Sequence, residues 1–221
     1  MSTKLIIESL TYSMPLLLVA GIGVLAKRIN MLDGLYRALF AYLIMAFAID
    51  VMSRIFGLTL HNNLIFIPLF GLLELGMFTW IYWHYFLQEK SGKILVLPVL
   101  GMVFILWEFY TAGWTEPGKF HAYSRVVDPL TIVYFCLLHY KEIIRQSPLR
   151  LENLRLNAAI LLFFSLNMVF FLPVNFLINV PSEVKFWFWL ANLLLTLTFY
   201  TFLILEIWKR GKIQQQLQRG C

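Results

Sequence analysis

The sequence predicts an all-α membrane protein, a bundle of seven transmembrane helices with the N-terminus outside and the C-terminus inside. Three observations carry this. Of 221 residues, 60% are hydrophobic and 14% charged, against about 25% charged in a soluble domain. The apolar residues fill seven long blocks rather than stripes, and a helix apolar all round belongs in a membrane or a large core. A chain this short has no soluble domain large enough to supply that core. Finally, Lys and Arg alternate between the loops. Of the 18 in the chain, 13 fall in or beside loops one, three, five and the tail, and 5 on the other side. Cytoplasmic loops are the basic ones, which sets the orientation.

The first span is 6–26, preceded by Lys4 and containing Glu8. No small-residue cleavage site follows it, so it reads as a retained helix. The second is 35–56, with Asp50 and Arg54 in its last turns. The third, 63–87, is long enough to cross ~30 Å of hydrocarbon at ~1.5 Å per residue. It carries Glu74 near its centre and ends in Trp80, Tyr82, Trp83, His84 and Tyr85, rings suited to the headgroup level. The fourth, 94–112, carries Glu108. The fifth, 122–140, carries Arg125 and Asp128. The sixth, 156–179, carries Asn167 and Asn175, and the seventh, 184–208, carries Asn192. Residues 1–208 thus form a single seven-helix domain, and 209–221 a short basic cytoplasmic tail. The setting is the cytoplasmic (inner) membrane, crossed many times. The net charge of +6 follows from topology and anionic lipid, not nucleic acid. Cys136 and Cys221 lie in no outer loop, and no disulfide is expected.

Orientation converts position into depth. Tyr12, Asp50, Arg54, Glu108, Arg125, Asp128, Asn175 and Asn192 all come to the outer third or near it, with Glu74 slightly deeper. Polar groups on most of the helices share one level, which predicts an outward-facing polar pocket lined by these nine residues. A plainer reading stands beside it. Asp50 and Arg54 are i,i+4 neighbours and Arg125 and Asp128 are i,i+3, so each pair can neutralise itself near the interface. Glu74 and Glu108 have no such local partner. Each needs an arginine from another helix, a proton or a ligand, and an ionisable group at mid-membrane is by default a functional one. For Glu74 the competing role is a structural hydrogen bond to Asn167 or Asn192.

Other motifs are thinner. His84 and His139 lie near the inner ends of their helices, a depth at which two histidines can ligate haem; two interfacial histidines are the plain alternative. His61 and His121 fall in outer loops without metal-ligand spacing, so neither metal nor cofactor is expected. Pro15, Pro68, Pro98, Pro129 and Pro173 lie in or near spans, where proline kinks a helix and frees a carbonyl. No phosphate loop, nucleophile elbow or HExxH is present.

Retinal proteins need a lysine inside the last helix, and this chain has only Lys185 at its edge. SWEET-type sugar transporters share the helix count, orientation and size, without their PQ-like signature appearing here. The HxxxH pattern of alkaline ceramidases is missing. The HNN turn at residues 61–63, the apolar run with a central Glu74, the aromatic end at Trp80 to Tyr85 and the basic tail resemble those of small seven-helix inner-membrane proteins of Bacteroidota. That resemblance implies a membrane location and, as a candidate partner, a sensor kinase. It implies no catalytic residue.

Three functions fit. The first is a receptor-like sensory module that binds a small ligand from the outer side and signals to a cytoplasmic or membrane partner through loop five and the tail. The second is a small-solute or proton-coupled transporter. The third is an intramembrane lipid hydrolase using Glu74 with Glu108 or Asp128 as acid and base. The dry, bulky inner half favours the first, and with it a protein that is not an enzyme. The orientation is checked by reporters: a phosphatase or fluorescent protein fused after Cys221 should report the cytoplasm, and a tag before Ser2 the outside. An outside C-terminus would overturn the depth assignments above.

Overall fold

The computed structural model describes residues 3–87, 91–111, 123–145, 153–174 and 182–219. Among them are seven helices and no strand: α1 (Thr3–Ala26), α2 (Gly34–Thr59), α3 (Phe66–Ile81), α4 (Val96–Thr111), α5 (Ser124–Arg145), α6 (Leu154–Val174) and α7 (Ser182–Arg219). Stretches of α2, α3, α4, α6 and α7 are each long and apolar enough to cross a membrane, which makes this a multi-pass membrane protein. The chain divides into two compact units: Met1–Ile55 with Leu193–Cys221, and Phe56–Asn192.

Three features differ from the sequence expectation, each for a local reason. Helix α5 runs on to Arg145 and α7 to Arg219, taking up part of loop five and nearly all of the tail. Lys, Ile, Gln, Leu and Arg in those stretches are adequate helix formers. The exception, Gly211, sits where a Cβ would lie 3.4 Å from Leu32 and 3.6 Å from Arg28. Helix α3 ends in a π turn, Tyr82–Phe86, closed by Leu87 N–H donating to the Tyr82 carbonyl at 2.9 Å. The wider turn rotates its side chains away from the α-helical facing. His84 and Tyr85 stay exposed, while Tyr82, expected at the headgroup level, is fully buried.

The prolines also divide. Pro68 and Pro98 are third residues of α3 and α4, in the first turn, where a missing N–H costs nothing. Pro15 and Pro129 lie inside α1 and α5. There each deprives the carbonyl four residues earlier, Thr11 or Arg125, of its helical donor.

In the first unit, Asp33 caps α2 by accepting from Tyr36 N–H at 3.2 Å. It also accepts from Arg210 Nε on α7 at 3.1 Å. Tyr42 and Tyr200 meet edge-on. In the second unit, α5 packs against α3, α4 and α6. Its buried residues Asp128, Thr131, Ile132, Phe135, Cys136 and His139 recur at helical spacing on one side. Facing them are Gly71, Glu74, Leu75 and Phe78 of α3 and Gly101, Ile105 and Glu108 of α4. Lipid tails are as apolar as leucine, so close approach through small residues supplies much of the association. At Gly101 a Cβ would lie 3.2 Å from Leu75, 3.3 Å from Thr131 Oγ1 and 3.4 Å from Val127.

Gly101→Leu should therefore force α4 from α3 and α5 and cost ~1–3 kcal/mol, the usual size of overpacking. Gly76→Leu is the control, since a Cβ at Gly76 meets nothing within 4 Å. Thermal unfolding in detergent should show a clear drop for the first and little change for the second. Equal behaviour would refute tight packing at Gly101.

Candidate functional site

The first turns of α5 carry three polar side chains to the buried face of the second unit: Ser124, Arg125 and Asp128. The spacing i, i+1, i+4 keeps all three on one side of the helix. Glu74 comes from α3, one turn beyond Gly71, where a Cβ would lie 3.9 Å from Asp128 Oδ2 and from Ser124 Cβ. Glu74 is 1% exposed and Asp128 fully buried.

Arg125 binds this pair of acids. Its Nη1 lies 3.5 Å from Glu74 Oε2. Its guanidinium carbon sits 5.0 Å from the ring centre of Phe70 on α3 and 5.1 Å from that of Phe171 on α6. Cation–π contact of this kind gains strength where water is excluded. Asp128 lies beside Glu74 where α5 meets α3. Neither Asp128 oxygen accepts a hydrogen bond from a donor among the described residues. Among the described residues the cluster holds two carboxyls and one guanidinium, and a buried charge without a partner is costly.

Glu108 has a different task. Its Oε1 accepts from Tyr123 N–H at 2.6 Å and its Oε2 from Ser124 N–H at 2.7 Å. These are donors that the start of α5 leaves without helical partners. The carboxylate of α4 caps α5 from outside, where the helix dipole favours negative charge. That contact fixes the turn bearing Arg125 and Asp128.

Asp50, Arg54 and Tyr12 meet in the first unit. Arg54 holds Asp50 through two bonds, Nε to Oδ2 at 2.8 Å and Nη2 to Oδ1 at 3.1 Å. Its Nη2 also donates to the Thr11 carbonyl at 2.8 Å, the carbonyl released by Pro15. The guanidinium lies over Tyr12, 5.6 Å from the ring centre. Here one cation meets one anion and takes up the freed backbone acceptor, which is the self-neutralising pair of the plain reading. Asn192 is part-buried in α7, and Asn175 lies outside the described residues, as does His121. Asn167 is buried in α6.

Sequence reasoning missed a second polar group on the helices α3, α5 and α6. Tyr82 Oη donates to Asn157 Oδ1 at 2.8 Å and lies 3.0 Å from Cys136 Sγ. Asn157 Nδ2 donates to the Cys136 carbonyl at 3.2 Å. Nearby on α5, His139 Nδ1 is 3.0 Å from the Phe86 carbonyl, with the ring edge-on to Phe86. Tyr82, Cys136 and Asn157 pin the three helices together. The available signal was Cys136 and His139 at i,i+3 on α5. Asn157 was hidden by its place at the start of a span. For the haem alternative, His84 is exposed and bonded to its own helix at Trp80, whereas His139 is buried. No group of three or more metal-binding side chains occurs among the described residues.

Removing the guanidinium is the sharpest test of the cluster. Arg125→Met should cost ~3–5 kcal/mol, because it leaves two buried carboxyls facing one another. Glu74→Gln should cost distinctly less, since Asp128 remains beside Arg125. Unfolding in lipid nanodiscs measures both. A Glu74→Gln loss equal to that of Arg125→Met would mean that the cluster is a simple ion pair with Asp128 outside it.

No family model, curated protein or solved structure matches this chain.

Proposed function

We propose that this protein is a receptor-like sensory module of the cytoplasmic membrane, with seven spans, the N-terminus outside and a cationic ligand at Glu74 and Asp128. The observation that carries this reading is Asp128: it is fully buried, lacks a hydrogen-bond donor among the described residues, and sits in a cluster with more acid than base. A positively charged species, the proton included, supplies the missing charge. Binding there draws on α3 and α5 together.

Packing supports sensing over transport. Beyond the acid pair, Leu75, Phe78, Ile132 and Phe135 are fully buried. Phe78 meets Phe164 edge-on at 4.9 Å, and Tyr82 stacks on Phe135 at 5.5 Å. A hydrolase would lose Glu108 as its second acid, because both oxygens already bond to backbone. The route for a signal is α5 itself. Its 22 residues span ~33 Å at ~1.5 Å per residue, from Asp128 near one end to Lys141 and Arg145 at the other. A partner such as a sensor kinase would read loop five and the tail.

The test is unfolding of the purified protein against a panel of sodium, potassium, ammonium and choline ions, and against pH between about 5 and 8. Anything that binds the folded state alone raises its stability by mass action. At least one cation, or the proton, should raise the unfolding temperature of wild type, and Asp128→Asn and Glu74→Gln should each abolish that rise. Wild type indifferent to every cation and to pH would end the proposal.

A further inference from the structure

We infer that the far end of α5 carries a binding site for the phosphate headgroup of an anionic phospholipid. A groove of about 180 Å³ opens there, lined by Ser91, Ile94, Leu138, Lys141, Glu142 and Arg145. Lys141 and Arg145 are i,i+4 and project from one side of the helix. Both are exposed, as is Lys93 in the 3-10 turn Gly92–Leu95 that borders the groove. Glu142 is the one acid in the lining. With Lys93 the mouth holds three cations to one anion among the described residues, a surplus suited to a phosphodiester.

Basic residues at a helix C-terminus also complement its dipole, and that alone asks for no ligand. Two further observations point to lipid. Ile94 and Leu138 are the apolar part of the groove's lining, and α4 and α5 expose apolar side chains at Val96, Leu100 and Leu137, with Ile144, 77% exposed, between the two cations in sequence. A headgroup phosphate on Lys141 and Arg145 would leave its acyl chains along those side chains. The long basic side chains reach the headgroup level by snorkelling. Basic pockets between helices on the cytoplasmic side are where anionic headgroups bind, and the basic-loop bias puts this end of α5 on that side. The site is separate from the acid cluster and stands whether or not a cation binds there.

The experiment is native mass spectrometry of the full chain released from detergent, with phosphatidylglycerol, phosphatidylcholine or inorganic phosphate added. Phosphatidylglycerol should stay bound, and the other two should not. The double variant Lys141→Gln with Arg145→Gln should weaken its retention about thirty-fold, the equivalent of ~2 kcal/mol for two basic side chains at a charged surface. Lys209→Gln with Lys212→Gln makes the same charge change on α7 and should leave retention unchanged. If the first double variant does not fold, Lys141→Gln and Arg145→Gln are read singly, each expected to lose about five-fold. Equal loss in the α7 control would mean general surface charge and overturn the site. Equal retention of phosphatidylcholine, or binding of inorganic phosphate alone, would overturn the lipid assignment.

Discussion

Burying Arg125, Glu74 and Asp128 on facing turns of α3 and α5 is the constraint on which the second unit depends. Removing such groups from water costs several kcal/mol each unless partners replace the solvent. Arg125 has a carboxylate on one side and the rings of Phe70 and Phe171 over its plane, while its Nε meets no acceptor among the described residues. Neither Asp128 oxygen meets a donor among them. Other features of the unit follow from holding these groups in place. Gly101 lets α4 close on α3 and α5, and Glu108 anchors the first turn of α5 through two backbone amides. The Tyr82, Asn157 and Cys136 network ties α5 to α3 and α6 further along.

The first unit meets a similar problem at Arg54 with a closer match. Arg54 is matched by Asp50 through two bonds, by the Thr11 carbonyl and by the Tyr12 ring. Pro15 creates the acceptor that Arg54 fills, so a helix defect and a half-buried cation offset one another. In the acid cluster two carboxyls meet one guanidinium among the described residues, and a natural interior keeps such an arrangement only when something offsets it.

Much of this was legible in the sequence. Blocks of apolar residues gave the helices, since a membrane span leaves a long unbroken signature. Asp50 with Arg54 was readable as a pair because i,i+4 spacing is local. Glu74 was readable as needing an arginine from another helix, a proton or a ligand, and packing supplies Arg125. The two phenylalanines around Arg125 were invisible, because one apolar ring in a span looks like any other until the helices meet. Glu108 read as a ligand group because capping of α5 from another helix depends on tertiary contact. Tyr82 was misplaced because the π turn leaves no mark in the sequence. Helices α5 and α7 run past the apolar blocks that mark them, because loss of hydropathy does not end a helix and the backbone continues wherever residues favour it.

The central claim is that the carboxyl pair Glu74 and Asp128 holds one positive species more than Arg125 supplies. Infrared difference spectroscopy of the protein in lipid tests it most directly, because a protonated carboxyl has its own C=O stretch, distinct from that of a carboxylate. The account predicts such a band in cation-free protein, its loss when a cation binds, and its disappearance in Asp128→Asn or Glu74→Gln. Identical carboxyl spectra in wild type and both variants, with and without cations, would contradict it.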